Sequence, residues 1–127
     1  MILNENQQAN LNAYMNGKKY GISNYEDGVS EVVKELSELL INKQRDYGHK
    51  NITEMGVIGL IVRMNDKMAR LKNLHGFTDK SYQLKEAKNE SITDTWKDIA
   101  NYAIIALMLE NDTFKLELQE AKASPRG

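Results

Sequence analysis

An all-α bundle is the fold this sequence predicts, and three observations predict it. There is a single proline, Pro125. The helix formers Leu, Lys, Glu, Ala and Met are plentiful. Three long segments carry apolar residues at i, i+3, i+4 and i+7. The expected architecture is three long helices with short accessory helices. An oligomer is expected too, because three helices and a polar arm give thin cover to the most apolar helix. Residues 1–22 read as a polar N-terminal arm, residues 23–122 as one helical domain and residues 123–127 as a disordered tail.

The arm has only Leu3, Leu11, Tyr14 and Met15 as anchors and closes at Gly17-Lys18-Lys19-Tyr20-Gly21, which suits loose packing or a short helix. The first firm helix can be capped by Asn24 or Asp27 and places Val29, Val32, Val33, Leu36, Leu39 and Leu40 in helical rhythm. It is expected to end near Arg45, because Asp46-Tyr47-Gly48 is turn chemistry. A linker through Asn51, Ile52 and Thr53 leads to a second helix over residues 54–74, very apolar in its first half and closed by His75-Gly76. Residues 77–89 are a polar excursion, either loop or short helix. Ser91 or Thr93 starts the third helix, which runs through Trp96, Ile99, Tyr102, Ile105 and Leu109, and the charged segment 110–122 is a candidate continuation.

Composition narrows the function classes. The 127 residues suit one globular domain, and 17 Lys+Arg against 18 Asp+Glu leave a formal net charge of -1. No global positive field exists to attract a nucleic acid. With no cysteine, disulfides, thiolate nucleophiles and zinc-thiolate sites are all excluded. Residues 1–12 lack the basic flank and apolar run of a signal peptide, and no apolar run reaches the roughly 20 residues of a membrane helix. The expected location is the cytoplasm, that of a host cell if the chain is phage-encoded.

The third helix holds the chemistry. At about 100° per residue its surface is apolar except along a stripe of Glu90, Asp94, Asp98 and Asn101. Carboxylates carried into an apolar setting need a compensating cation or metal. Asp94 and Asp98 lie about a turn apart on one edge, a spacing that a hydrated Mg²⁺ can bridge. On the second helix Arg63, Asp66, Lys67 and Arg70 fall on one arc, opposite Leu60, Ile61, Met64, Met68 and Leu71. Facing stripes would make a cleft for a nucleoside triphosphate. Mg²⁺ would sit on Asp66, Asp94 and Asp98, with Glu90 as a further ligand, and Arg63, Lys67 and Arg70 would grip phosphate oxygens. Asn101 shares that face as a substrate contact. The same stripes also read as interhelical salt bridges, and for the residues alone both readings stand.

Other signals are weaker. The turn from Asp46 to Asn51 concentrates polar and aromatic groups: Tyr47 suits stacking on a nucleobase or packing on the core, and Lys43, Asp46 and Lys50 stand beside it as substrate contacts. Glu31, Glu35 and Glu38 include a Glu-x-x-Glu, a metal-ligand spacing, but lie opposite the Val29/Val33/Leu36/Leu40 stripe and read as a solvated face unless an oligomer buries it. Gly17-Lys18 lacks the upstream glycine of a P-loop, and Gly56-Val57-Ile58-Gly59 matches an RNA-binding GXXG loop only by accident of an apolar helix. His49 and His75 have no partners for zinc or a triad and are expected at the surface.

Three pieces together resemble a known family, the phage and bacterial nucleotide modification associated domain 1. They are Lys43-Gln44-Arg45-Asp46-Tyr47-Gly48, the run from Gly59 to Leu74 containing R-x-x-D-K-x-x-R-L, and the run from Glu90 to Ala103 reading E-S-I-x-D-T-x-x-D-x-A-N-Y-A. That family looks like a relative of the all-α nucleotide pyrophosphohydrolases, the MazG and dimeric dUTPase group, which cleave nucleoside triphosphates to monophosphate and pyrophosphate. The resemblance implies that Asp98 matches the Asp of their E-x-x-D helix and that Asp94 stands near its Glu. Two departures are plain: position 95 is Thr, and the second helix offers Asp66 alone where those enzymes have E-E-x-x-E. Fewer carboxylates weaken metal binding, which touches hydrolysis more than nucleotide binding.

Three functions therefore follow as expectations. The first is a Mg²⁺-dependent (deoxy)nucleoside triphosphate pyrophosphohydrolase using Asp66, Asp94 and Asp98. The second is a non-catalytic module that sequesters a nucleotide or cyclic-nucleotide signal, in which the basic arc matters more than the acids. The third is a purely structural helical subunit.

Overall fold

A computed structural model describes residues 2–76 and 90–119. All regular structure among them is helical, in the order α1 (Glu5–Tyr20), α2 (Tyr25–Tyr47), α3 (Lys50–Thr53), α4 (Gly56–Leu74) and α5 (Ile92–Glu110). The predicted all-α class is the observed one. The excursion at 77–89 and the tail at 123–127 lie outside the described residues. None of the helices described is long and apolar enough to cross a membrane.

The chain divides into two compact units, Met1–Glu38 and Leu39–Gly127, so the division falls within α2. In the first unit the polar arm is a full helix. The Asn4 side chain accepts from the Gln7 backbone N–H while Gln7 reaches back to the Asn4 N–H, a reciprocal cap that polar residues supply without any buried face. Left-handed Gly21 ends α1, and Asn24 caps α2 by accepting from the Asp27 N–H at 2.8 Å. Within this unit Val29, Val32 and Val33 remain about half exposed.

The second unit holds the core. Gly48, at φ 67°, stops α2, and α3 follows at once where the sequence suggested a linker. This single turn matters because it buries Ile52 against Leu60, Ile105 and Phe114, with Leu40, Tyr102 and Leu109 packed around them. Each such side chain stabilises the fold by about 1.5–3 kcal/mol. The charged segment after Glu110 does not prolong α5. Asn111 caps the helix, Asp112 takes φ 60°, and the chain turns to insert Phe114 into the core. Helices α4 and α5 pack on each other. The pairing of Lys67 with Asp98 and of Arg70 with Thr95 makes them antiparallel. Their outer faces stay apolar and open: Ile58 is 71% exposed, and Ile61, Val62, Trp96 and Leu107 are more than half exposed. Trp96 is therefore not a core residue of the chain itself.

Gly59 is buried on α4 at the α3–α4 corner, where an added Cβ would collide with Met55 Cβ. Alanine is ordinarily about 1 kcal/mol better than glycine inside a helix. Here the collision dominates, and Gly59→Ala is expected to destabilise the protein by about 1–2 kcal/mol. Urea unfolding measures this; an unchanged or higher midpoint would mean that Met55 moves aside freely.

Candidate functional site

The site forms where the end of α2, α3 and the α4–α5 pair meet, all within the second unit. Its framework is a chain of charged groups. On α5, Asp98 is held from two sides: its Oδ1 accepts from Lys43 Nζ at 2.8 Å and its Oδ2 pairs with Lys67 Nζ at 2.9 Å. The same Lys67 ammonium donates to Glu90 Oε2 at 2.8 Å and Oε1 at 3.0 Å. Burial alone would push the Asp98 carboxyl up, but the hydrogen bonds and charges of Lys43 and Lys67 outweigh it and hold the group below its ordinary 3.8. For Lys67, burial alone would lower the pKa, and the bonds to Glu90 and Asp98 reverse that and hold it above 10.5.

A second layer fixes this framework. Thr95 is fully buried; its hydroxyl lies within hydrogen-bond reach of Glu90 Oε1 and the Ser91 carbonyl and accepts from Arg70 Nε at 3.2 Å. Arg70 Nη2 also donates to the Glu90 carbonyl. Ser91 caps α5 by accepting from the Asp94 N–H at 3.0 Å. A glutamate at position 95 would bring a third carboxylate into a space where a small hydroxyl is enclosed.

Beside this network lies a cavity of about 300 Å³, at the lower end of the usual small-molecule range of roughly 300–1,000 Å³. Leu40, Ile52, Tyr102 and Ile105 give it apolar walls, while Lys43, Arg63, Asp98 and Asn101 bring polar groups and Tyr47 an aromatic ring. Arg63 has no ion-pair partner among the described residues, and Asn101 is only 4% exposed.

The sequence-predicted residues thus separate into two groups. Lys43, Tyr47, Arg63, Asp98 and Asn101 line one cavity, with Lys67, Arg70 and Glu90 forming its support. Asp46, Lys50, Asp66 and Asp94 are exposed and do not line it. Tyr47 is 70% exposed, so it stands at the cavity rather than in the core. The opposed stripes do meet as salt bridges. The expected Mg²⁺ ligands, in contrast, do not converge. Asp98 and Glu90 share the Lys67 ammonium, Asp66 and Asp94 stand apart in solvent, and no three acidic or histidine side chains are grouped for a metal among the described residues. An ammonium already lies between the two inward carboxylates, so this donor set does not fit Mg²⁺.

Thr95, Gln44, Asn51 and Tyr102 belong to the site or its support without having been singled out from the sequence. Thr95 did carry a signal. A hydroxyl one helical turn after the Ser91 cap can bond the i−4 carbonyl and still meet a neighbouring guanidinium. His49, expected at the surface, is half-buried, and its Nδ1 has no partner among the described residues.

The sequence profile of nucleotide modification associated domain 1 matches residues 43–109, just over half of the chain. The chain belongs to this family. No curated protein and no solved structure matches significantly. The family match begins at Lys43 and ends at Leu109, and it takes in the whole charged network and every residue lining the cavity except Leu40. In this member of the nucleotide modification associated domain 1 family, the site is therefore a feature of the domain itself and not of the N-terminal unit.

Proposed function

We propose that the protein binds a nucleotide in this cavity without needing a metal. The observation that carries the reading is Arg63: a guanidinium lining a small cavity, with no ion-pair partner among the described residues. Lys43 also lines the cavity, and Asp98 is its only carboxylate among the described lining residues. Such an imbalance favours a phosphate-bearing guest, because guanidinium groups bind phosphate oxygens through paired, charge-assisted hydrogen bonds. Lys67 supports this role indirectly. Together with Lys43 it balances the charges of Asp98 and Glu90, which reduces the repulsion that two carboxylates would exert on an anion. The family's association with nucleotide modification fits a nucleotide guest. Of the three expectations, non-catalytic sequestration of a nucleotide is favoured over pyrophosphate release, because hydrolysis of a phosphoanhydride by this route needs a metal that the carboxylates are not arranged to hold.

The test is a panel of nucleoside mono-, di- and triphosphates and cyclic nucleotides, each with EDTA and with Mg²⁺, followed by melting temperature and product analysis. Expected are a thermal shift that persists in EDTA, an intact ligand, and loss of at least about tenfold in affinity in Arg63→Ala. Pyrophosphate release only with Mg²⁺ would overturn the metal-free reading in favour of hydrolysis. No shift with any compound would leave a structural subunit.

A further inference from the structure

We infer that the Asn101 carboxamide recognises the hydrogen-bonding edge of a nucleobase, which makes the cavity a base-reading site as well as a phosphate site; this deepens the nucleotide reading and rests on it. Asn101 lies within α5, is 4% exposed and lines the cavity. Both its Nδ2 and its Oδ1 are buried with no hydrogen-bond partner among the described residues. Buried amides are nearly always satisfied on both atoms, since an orphaned donor or acceptor keeps its full desolvation cost. One orphaned atom could be incidental. A donor and an acceptor on the same planar group, both unpartnered among the described residues and on a residue that lines a cavity, suit a guest with the complementary pair.

The chemistry of that guest is restricted. A phosphate presents acceptors, so it can satisfy Nδ2 but leaves Oδ1 bare, and Arg63 and Lys43 are already its natural partners at this cavity. A base edge presents an acceptor and a donor side by side, as in the bidentate pairing of an asparagine amide with adenine. The remaining walls suit a flat, largely apolar body: Leu40, Ile52 and Ile105 are aliphatic, and Tyr102 and Tyr47 offer rings. An amide donates and accepts equally well, so Asn101 demands a base edge while leaving the choice of base to the walls.

The experiment compares nucleosides, nucleotides and inorganic tripolyphosphate in EDTA, with wild type and Asn101→Leu, by calorimetry and thermal shift. Expected for wild type is binding of at least one nucleotide about tenfold or more tighter than tripolyphosphate. Leucine has nearly the shape of asparagine and no polar atoms. Asn101→Leu is therefore expected to melt at the same or a higher temperature without ligand, while its nucleotide affinity falls to that for tripolyphosphate. If Asn101→Leu does not fold, Asn101→Ala, which adds no volume, makes the same comparison. A lower unliganded melting temperature together with an unchanged nucleotide preference would overturn the assignment, since the amide would then be satisfied structurally. Equal binding of nucleotides and tripolyphosphate by wild type would overturn it and leave the phosphate reading standing. Nucleoside binding that is lost in Asn101→Leu, with no gain from phosphates, would uphold Asn101 and remove the phosphate reading.

Discussion

Lys67→Met is expected to lower stability by about 2 kcal/mol and the melting temperature by on the order of 8 °C. The single ammonium has three short contacts, two to Glu90 and one to Asp98, and it lies between helix α4 and two carboxylates presented by or just before α5. Methionine fills a similar volume but leaves those carboxylates facing each other. Removing one partner of a fully buried pair costs roughly 3–5 kcal/mol. The smaller figure applies because water still reaches the side chains, Glu90 being 28% exposed and Lys67 21%. Lys43 also continues to neutralise Asp98. The double variant Lys67→Met/Glu90→Gln should recover about half of the loss, because one of the stranded charges is gone. A metal-ion site would respond differently: with the lysine removed, Mg²⁺ would take its place between Asp98 and Glu90 and restore stability. Urea unfolding of the single and double variants, with and without Mg²⁺, separates these outcomes. A midpoint for Lys67→Met within error of wild type would mean that the bridge contributes nothing and that its role in the site has been overestimated.

That bridge also marks how far the sequence could be read. Periodicity and capping chemistry locate α2, α4 and α5 because each presents a repeated apolar rhythm or a side chain able to accept from the first backbone N–H groups, as Asn24 and Ser91 do. The same rhythm isolates the polar stripes, and these do bring Lys67 to Asp98. A helical wheel carries no information on where along its axis a helix is covered, however. Asp94 shares an edge with Asp98 but lies one turn nearer the start of α5, where it is exposed. Asp66 is next to Lys67 in sequence and so about 100° away around the helix, enough to put it in solvent. Helix α3 escapes periodicity because one turn has no repeat, and Phe114 escapes because it lies in a charged segment whose bend is set by Asp112 rather than by apolar spacing. Thr95 reads in sequence as an absent glutamate. In the folded protein it is a positive feature, a hydroxyl enclosed between Arg70 and Glu90.

The charge network should also give the protein a stability profile with two separate edges. Asp98 has its carboxyl held below 3.8, so its contribution is fully present above that value and is lost as pH falls through the lower, folded-state value. Lys67 is held above 10.5, so its contribution is fully present below that value and is lost as pH rises through the higher, folded-state value. A difference between variants removes what the rest of the chain contributes in common. The expected result is that wild type exceeds Asp98→Asn by about 2 kcal/mol, on the scale of hydrogen bonds to charged groups, across the neutral range. Asp98 is 13% exposed, which keeps solvent screening modest. The gap should then close as pH falls below 3.8, because a protonated Asp98 is nearly equivalent to asparagine. The gap between wild type and Lys67→Met should hold in mild acid, narrow as pH falls below 3.8 and Asp98 loses its charge, and also close above pH 10.5 as Lys67 loses its own. Urea unfolding at a series of pH values checks both. If the Asp98→Asn gap stayed constant down to pH 2, the two lysines would be bonding a site whose charge does not matter, and the electrostatic account of the cavity's support would fail.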